Sequence, residues 1–196
     1  MRAPLPLDEA ARLEALRRYD ILDTGSEQVF DDITLLAAHI CGTPVAMISL
    51  VDENRQWFKS KVGVAESETP RDVAICGHAI LQTEVFVIDD ARLDKRFAAN
   101  PMVAANAGIR FYAGAPLITT DGHALGMLCV TDHVPHQLQP EQKLALQALS
   151  RQVVAQLDAR RSLKELRAAV ADLERAKEEL DWRTAFLEAQ ADACID

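Results

Sequence analysis

Cys76 and His78 stand two residues apart in AICGHAI, and a thiol near an imidazole is how an activated sulfur nucleophile is built. The spacing works against that use. Asp72 is a short carboxylate suited to an N-cap, and Val73, Ile75, Ala79, Ile80 and Leu81 behind it predict a helix. On a helix, positions i and i+2 face different ways, so Cys76 reads as a buried small residue and His78 as a hydrogen-bonded one. Asp89 and Asp90 are a second candidate, since paired carboxylates can do acid/base work or hold a cation. At the end of the run VFVI they more simply accept backbone N–H groups and cap the next turn. His133 and His136, in DHVPHQL, have loop spacing and no defined third ligand, which makes them solvated loop residues. Cys41, Cys76, Cys129 and Cys194 form no CxxC pair, so neither a zinc site nor a disulfide framework is legible. Cys41 and Cys129 read as buried small apolar residues, and Cys194, in a polar tail, as a solvent-accessible thiol without an assigned role. No catalytic and no metal-binding residue is assigned.

The elements that would position these groups follow from periodicity. PLPLDEAARLEALRRYDIL predicts a first amphipathic helix, broken by the cluster DTGS. Phe30, Ile33, Ala37 and Ile40 recur at helical spacing and predict a second helix that stops at Gly42 and Pro44. The period then changes. VAMISLV from Val45 to Val51 and QWFKSKV, joined by a polar turn at Asp52 to Arg55, predict a hairpin. Gly63 to Arg71 is a polar connection, VFVI a strand, and Asp89 to Pro101 irregular, with a turn or two of helix in MVAANAG. A second hairpin pairs RFYAGAPLI with ALGMLCVT across Asp121-Gly122, whose residue types accept the positive φ of tight hairpin turns. Pro140 and Glu141 suit a helix N-terminus, and no glycine or proline occurs after Pro140, so one long helix runs to the end. Hairpin-joined strands with helices before, between and after them make the class α+β, with an antiparallel sheet.

Composition narrows the function. The 196 residues hold, apart from the helical tail, one domain of roughly 140 to 150 residues, enough to bury a core. A net charge of −9, with no basic cluster interleaved with aromatics, argues against nucleic acid and against membrane surfaces as partners. No apolar run approaches the length of a membrane span and no signal peptide is visible, so the expected location is cytoplasmic.

TPRDVAICGHAI, VIDDARLDKRFAANPMV, IRFYAGAPL and LGMLCVTDHVPHQL, taken together and in this order, resemble the GAF domains at the front of bacterial signalling proteins. The resemblance runs from about Leu13 to Leu157 and implies an antiparallel sheet related to the PAS sheet, with a ligand-sized cavity between one sheet face and the irregular segment. Candidate pocket residues are then Met47, Ser49, Trp57, Cys76, His78, Phe111, Tyr112, Met127 and Cys129, a mostly apolar set whose members are equally good core residues. GAF domains that bind a linear tetrapyrrole attach it through a cysteine followed directly by histidine, and here Gly77 intervenes. Cyclic-nucleotide members carry an Asn-Lys-Phe-Asp-Glu string that is missing here. Neither bilin nor cyclic nucleotide has motif support, and the cofactor is unassigned. Cys76 resembles one cysteine position of the free methionine sulfoxide reductases, but Asp89 to Asn106 holds no second cysteine, which places that enzyme last among the readings.

Within the terminal helix, Leu163, Leu166, Val170, Leu173, Lys177, Leu180, Thr184 and Leu187 alternate at three and four, a heptad seam with polar breaks. Nothing in the chain beyond the first domain is available to cover it, so a parallel homodimer through this helix is expected. AFLEAQADACID, Ala185 to Asp196, resembles the lead-in helix of a PAS domain, which implies downstream PAS and output domains. The expected organisation is an N-terminal helical segment (1–24), the GAF domain (25–158), a signalling coiled-coil helix (159–184) and the PAS lead-in (185–196). The expected function is a regulatory sensor, itself no enzyme, whose full-length protein is a sensor histidine kinase. The alternatives are the front end of a diguanylate cyclase or phosphodiesterase and a ligand-free dimerisation scaffold.

Overall fold

The computed structural model describes the backbone of residues 3–192 and the side chains of residues 3–184. Its chain divides into two units, Met1–Asp158 and Ala159–Asp196. In the first, α1 (Glu9–Arg18) and α2 (Gln28–Cys41) precede a hairpin of β1 (Val45–Val51) and β2 (Arg55–Val62). A short β3 (Glu68–Pro70) leads through one 3-10 turn into α3 (Ile75–Ala79), and β4 (Phe86–Ile88) and α4 (Pro101–Ala104) follow. The second hairpin, β5 (Phe111–Ile118) and β6 (Ala124–Asp132), precedes α5 (Pro140–Asp192). The six strands form one antiparallel sheet in the order β3-β2-β1-β6-β5-β4. This is the α+β class expected from the periodicity.

The central strands are buried on both faces, and alternation sorts their side chains into two layers. Ala46, Ile48 and Leu50 of β1, Val130 of β6 and Phe111, Ala113 and Ala115 of β5 pack with α1, α2 and the Leu146 to Leu157 stretch of α5. Val45 and Met47, Cys129 and Tyr112 project to the other side, against Ile75, Cys76 and Ala79 of α3, Phe97 of the irregular segment and Val103 of α4. β1 and β6 approach closely at Gly126, where a Cβ would stand 1.9 Å from the Ser49 carbonyl oxygen. A bulge between Ile48 and Ser49 in the β1–β2 pairing leaves Lys59 out of register. As a result Lys59 and Ser60 both reach toward α2: the Lys59 ammonium donates to Gly25 O (2.6 Å) and Glu27 Oε1 (2.7 Å), and Ser60 Oγ donates to Asp31 Oδ1 (2.6 Å).

Several local expectations are corrected. Asp72 does not cap α3. It lies in the 3-10 turn Arg71–Val73, and the N-cap is Ala74 in extended conformation, with no side-chain bond. Asn100 Nδ2 donates to the Val73 carbonyl at 2.8 Å, which holds that carbonyl outside a continuous helix. The polar connection before Arg71 contains β3, a three-residue edge strand paired with β2. In the second hairpin only Gly122 has positive φ (89°). Its N–H closes a turn on Thr119 O at 2.9 Å, so the loop is a turn followed by a left-handed glycine. Leu187, Cys194 and the PAS-like segment Ala185 to Asp196 lie outside the residues whose side chains are described.

One ionic cluster ties α1 to the segment leading into α3. The Glu9 carboxylate accepts from Arg12 Nε and Nη2, both at 2.8 Å, and from Arg71 Nη1 at 2.5 Å, and Arg71 Nη1 also donates to Asp52 O at 2.9 Å. Burial raises the Glu9 carboxyl, but the two guanidinium groups outweigh it and hold the pKa at about 2. Because the folded pKa lies below the ordinary 4.5, the contribution is complete above that value and disappears as pH falls toward about 2. Urea midpoints of wild type and Glu9→Gln should differ clearly at neutral pH and converge as the pH is lowered through this window. A constant gap across it would show that Glu9 is not held as a carboxylate.

Candidate functional site

The layer covered by α3 and α4 is not filled. Between it and the sheet lies a cavity of about 460 Å³, within the range of small-molecule sites. Its walls are mostly apolar: Val45 and Met47 of β1, Phe58 of β2, Ile75 of α3, Met102 of α4 and Ile109. Polar groups enter from the sheet edge and from the β6 end, as Gln56, Thr69, Thr131 and His133. Gln56 is 4% exposed, and its Oε1 has no hydrogen-bond partner; nor has Thr69 Oγ1. Gln56 and Thr69 are directly paired across β2 and β3, so two buried acceptors stand side by side at one end of an apolar space. A buried acceptor without a donor costs about 1–3 kcal/mol, and a ligand O–H or N–H would remove that cost.

Cys76, Cys129 and Tyr112 meet at the cavity wall. Cys76 Sγ lies 3.1 Å from Tyr112 Oη and 3.7 Å from Cys129 Sγ, and Ser49 Oγ donates to it at 3.3 Å. The Cys129 thiol points to the Met47 carbonyl at 3.7 Å. Burial on its own raises the Cys76 thiol pKa, but hydrogen bonding with Cys129, Ser49 and Tyr112 outweighs it and the net shift is downward. Cys129 is pushed well up by its hydrogen bond with Cys76 and by burial, and Tyr112 well up by burial and the neighbouring sulfur charge. Of the three groups, Cys76 is the one whose ionisation its neighbours favour.

Of the pocket residues named from sequence, Met47, Cys76, Tyr112 and Cys129 line the cavity. Ser49 and Met127 lie on the same sheet side, behind the wall: Ser49 bonds to Cys76, and Met127 packs in that layer's core. Trp57 and Phe111 are in the opposite layer, because strand alternation turns each away from the neighbour that does face the cavity, Phe58 and Tyr112. His78 packs edge-on against Phe97, with ring centroids 4.9 Å apart, and is not in the wall. Sequence reasoning passed over Gln56, Thr69 and Met102, and read His133 as a solvated loop residue and not as part of the wall. The signal for Gln56 was present, since it is two residues from Phe58 on an alternating strand. Asp90 caps its turn by accepting from Arg92 N at 3.1 Å and pairs with the Arg92 guanidinium, while His136 tilts against Phe111.

Residues 26–157 match the family model of the GAF domain. Over 160 residues the chain is 41% identical to a cyclic di-GMP phosphodiesterase of Pseudomonas aeruginosa, covering 81% of this chain and 27% of that protein. Among solved structures, the GAF domain of an Acinetobacter phosphoenolpyruvate-protein phosphotransferase superposes with a TM-score of 0.58 at 18% identity, covering 79% of this chain and 95% of that one. A free methionine-R-sulfoxide reductase from Neisseria meningitidis, in complex with its substrate, gives a TM-score of 0.56 at 16% identity, covering 83% and 98%. At such identities the two structures share the fold alone.

The hydroxyls around Cys76 have a measurable consequence. Tyr112→Phe and Ser49→Ala each remove a donor to its sulfur, so the pH at which Cys76 alkylates with iodoacetamide, followed on its own peptide, should rise in both. An unchanged profile would mean that these hydroxyls do not stabilise the thiolate.

Proposed function

The chain belongs to the GAF domain family, and from that premise we propose that it is the ligand-sensing regulatory module of a protein that turns over cyclic di-GMP. Its signal is a small, mostly apolar molecule carrying an O–H or N–H donor. The observation that carries this reading is the unpartnered pair Gln56 Oε1 and Thr69 Oγ1 at the polar end of a cavity otherwise walled by Val45, Met47, Phe58 and Met102. Such a site rewards a ligand that buries apolar surface and donates at one end.

Support for the output comes from the Pseudomonas relative, which favours the phosphodiesterase alternative over the histidine kinase expected from sequence. The chain spans 27% of that relative's length. The second unit supports the assembly. Leu163, Leu166, Val170, Leu173 and Leu180 of α5 are exposed, at heptad spacing, and a second copy of the helix would cover them as a parallel coil. A coil interrupted by Lys177 and Thr184 can hold two packings of similar energy, and a ligand preferring one of them would shift the population.

Small molecules released from the purified protein and identified by mass spectrometry should include one of this chemistry. Gln56→Leu should weaken it about tenfold, the loss of one hydrogen bond of about 1.4 kcal/mol, without lowering the melting temperature. A cavity that retains no organic molecule, or a ligand indifferent to Gln56, would contradict the reading. For the assembly, Leu166→Asp with Leu173→Asp should convert a sedimenting dimer to monomer. A monomeric wild type would remove the coiled coil.

A further inference from the structure

Cys76 and Cys129 approach each other from separate layers, one on α3 and the other on β6. Their sulfurs are 3.7 Å apart, about 1.7 Å more than a disulfide bond. Both side chains are almost wholly buried, 2% and 1% exposed, and what they do border is the cavity. A small molecule admitted there meets the pair directly. The two thiols are also unlike. Hydroxyls of Ser49 and Tyr112 converge on the Cys76 sulfur, whereas the Cys129 thiol is turned as a donor toward the Met47 carbonyl. That is the division between an attacking and a resolving thiol. Cys41 is the contrast. It lies in the opposite apolar layer, where burial pushes its thiol up to about 11.

We propose that Cys76 and Cys129 are a dithiol that a hydroperoxide entering the cavity oxidises to a disulfide. The Cys76 thiolate sulfur attacks one peroxide oxygen and the O–O bond breaks. The departing oxygen takes up a proton and leaves as water or alcohol, with a sulfenic acid remaining on Cys76. Cys129 then attacks that sulfur, the S–O bond breaks, and the hydroxide leaves as water with the Cys129 proton. Two thiols lose two electrons and two protons, and the peroxide gains both. Drawing the sulfurs together pulls α3 toward β6, so oxidation reshapes the wall of the cavity. The ligand reading rests on Gln56 and Thr69 at the other end of the space and stands or falls separately.

The test uses the full chain carrying Cys41→Ser and Cys194→Ser, which leaves Cys76 and Cys129 as the two remaining thiols of four. Hydrogen peroxide should lower the intact mass by about 2 Da and abolish iodoacetamide labelling, and dithiothreitol should restore both. Peptide mapping should find the Cys76–Cys129 link in this variant and in wild type, which guards against a misfolded variant. On the same background Cys129→Ser should accumulate a dimedone adduct at Cys76. Thiols that survive peroxide, direct passage of Cys76 to sulfinic acid without a link, or a dimedone adduct on Cys129 in Cys76→Ser with none on Cys76 in Cys129→Ser would each overturn the proposal.

Discussion

The pairing register of β1 with β6 is the constraint on which the rest of the structure depends. Side chains on a strand alternate, so a slip of one residue would exchange every side chain between the two faces. Here both faces are covered by different things. Ile48 and Leu50 join a dense layer with α1, α2 and α5, whereas Met47 and Cys129, directly paired, wall a cavity. Gly126 marks how closely the two strands run, since the Ser49 carbonyl occupies the space a side chain would need. That approach also holds Ser49 where its hydroxyl reaches Cys76.

The two covers differ in what they can bury. Long helices face one side of the sheet, and their apolar stripes fill it. The other side is covered by α3 with five residues, α4 with four, and irregular chain between them. Elements so short cannot pack to full density by themselves. They are held instead by single polar ties, such as Asn100 to the Val73 carbonyl and Arg71 to Glu9. Short elements and loops of this kind are where ligand-responsive parts of proteins are commonly drawn from. Cavity, unpartnered acceptors and thiol pair all lie under this cover.

What could be read from residues follows the same division. VAMISLV, the Asp121-Gly122 hairpin and the long helix after Pro140 were legible because period, turn chemistry and absence of helix breakers are local properties. β3 was not, because a three-residue polar edge strand is specified by its partner β2 and by nothing in its own composition. The α3 boundary was missed because a side chain 27 positions away takes the Val73 carbonyl. Within the site, apolar size pointed to Trp57 and Phe111, which alternation places in the other layer. Gln56 and Thr69 went unmarked because a polar residue, on a strand or in a polar connection, looks solvent-facing until the tertiary structure buries it. That Cys76 and Cys129, 53 residues apart, share one hydrogen-bonded cluster with Tyr112 was likewise beyond local pattern.

The central claim is that the space beneath α3 and α4 is a ligand site and not a packing defect. A crystal structure of the protein as purified, with nothing added, tests it most directly. The expected result is density for a bound organic molecule against Met47, Phe58 and Met102, with a donor within about 3 Å of Gln56 Oε1. A cavity closed by inward movement of α3 and α4, with the Gln56 side chain turned out to solvent, would contradict it.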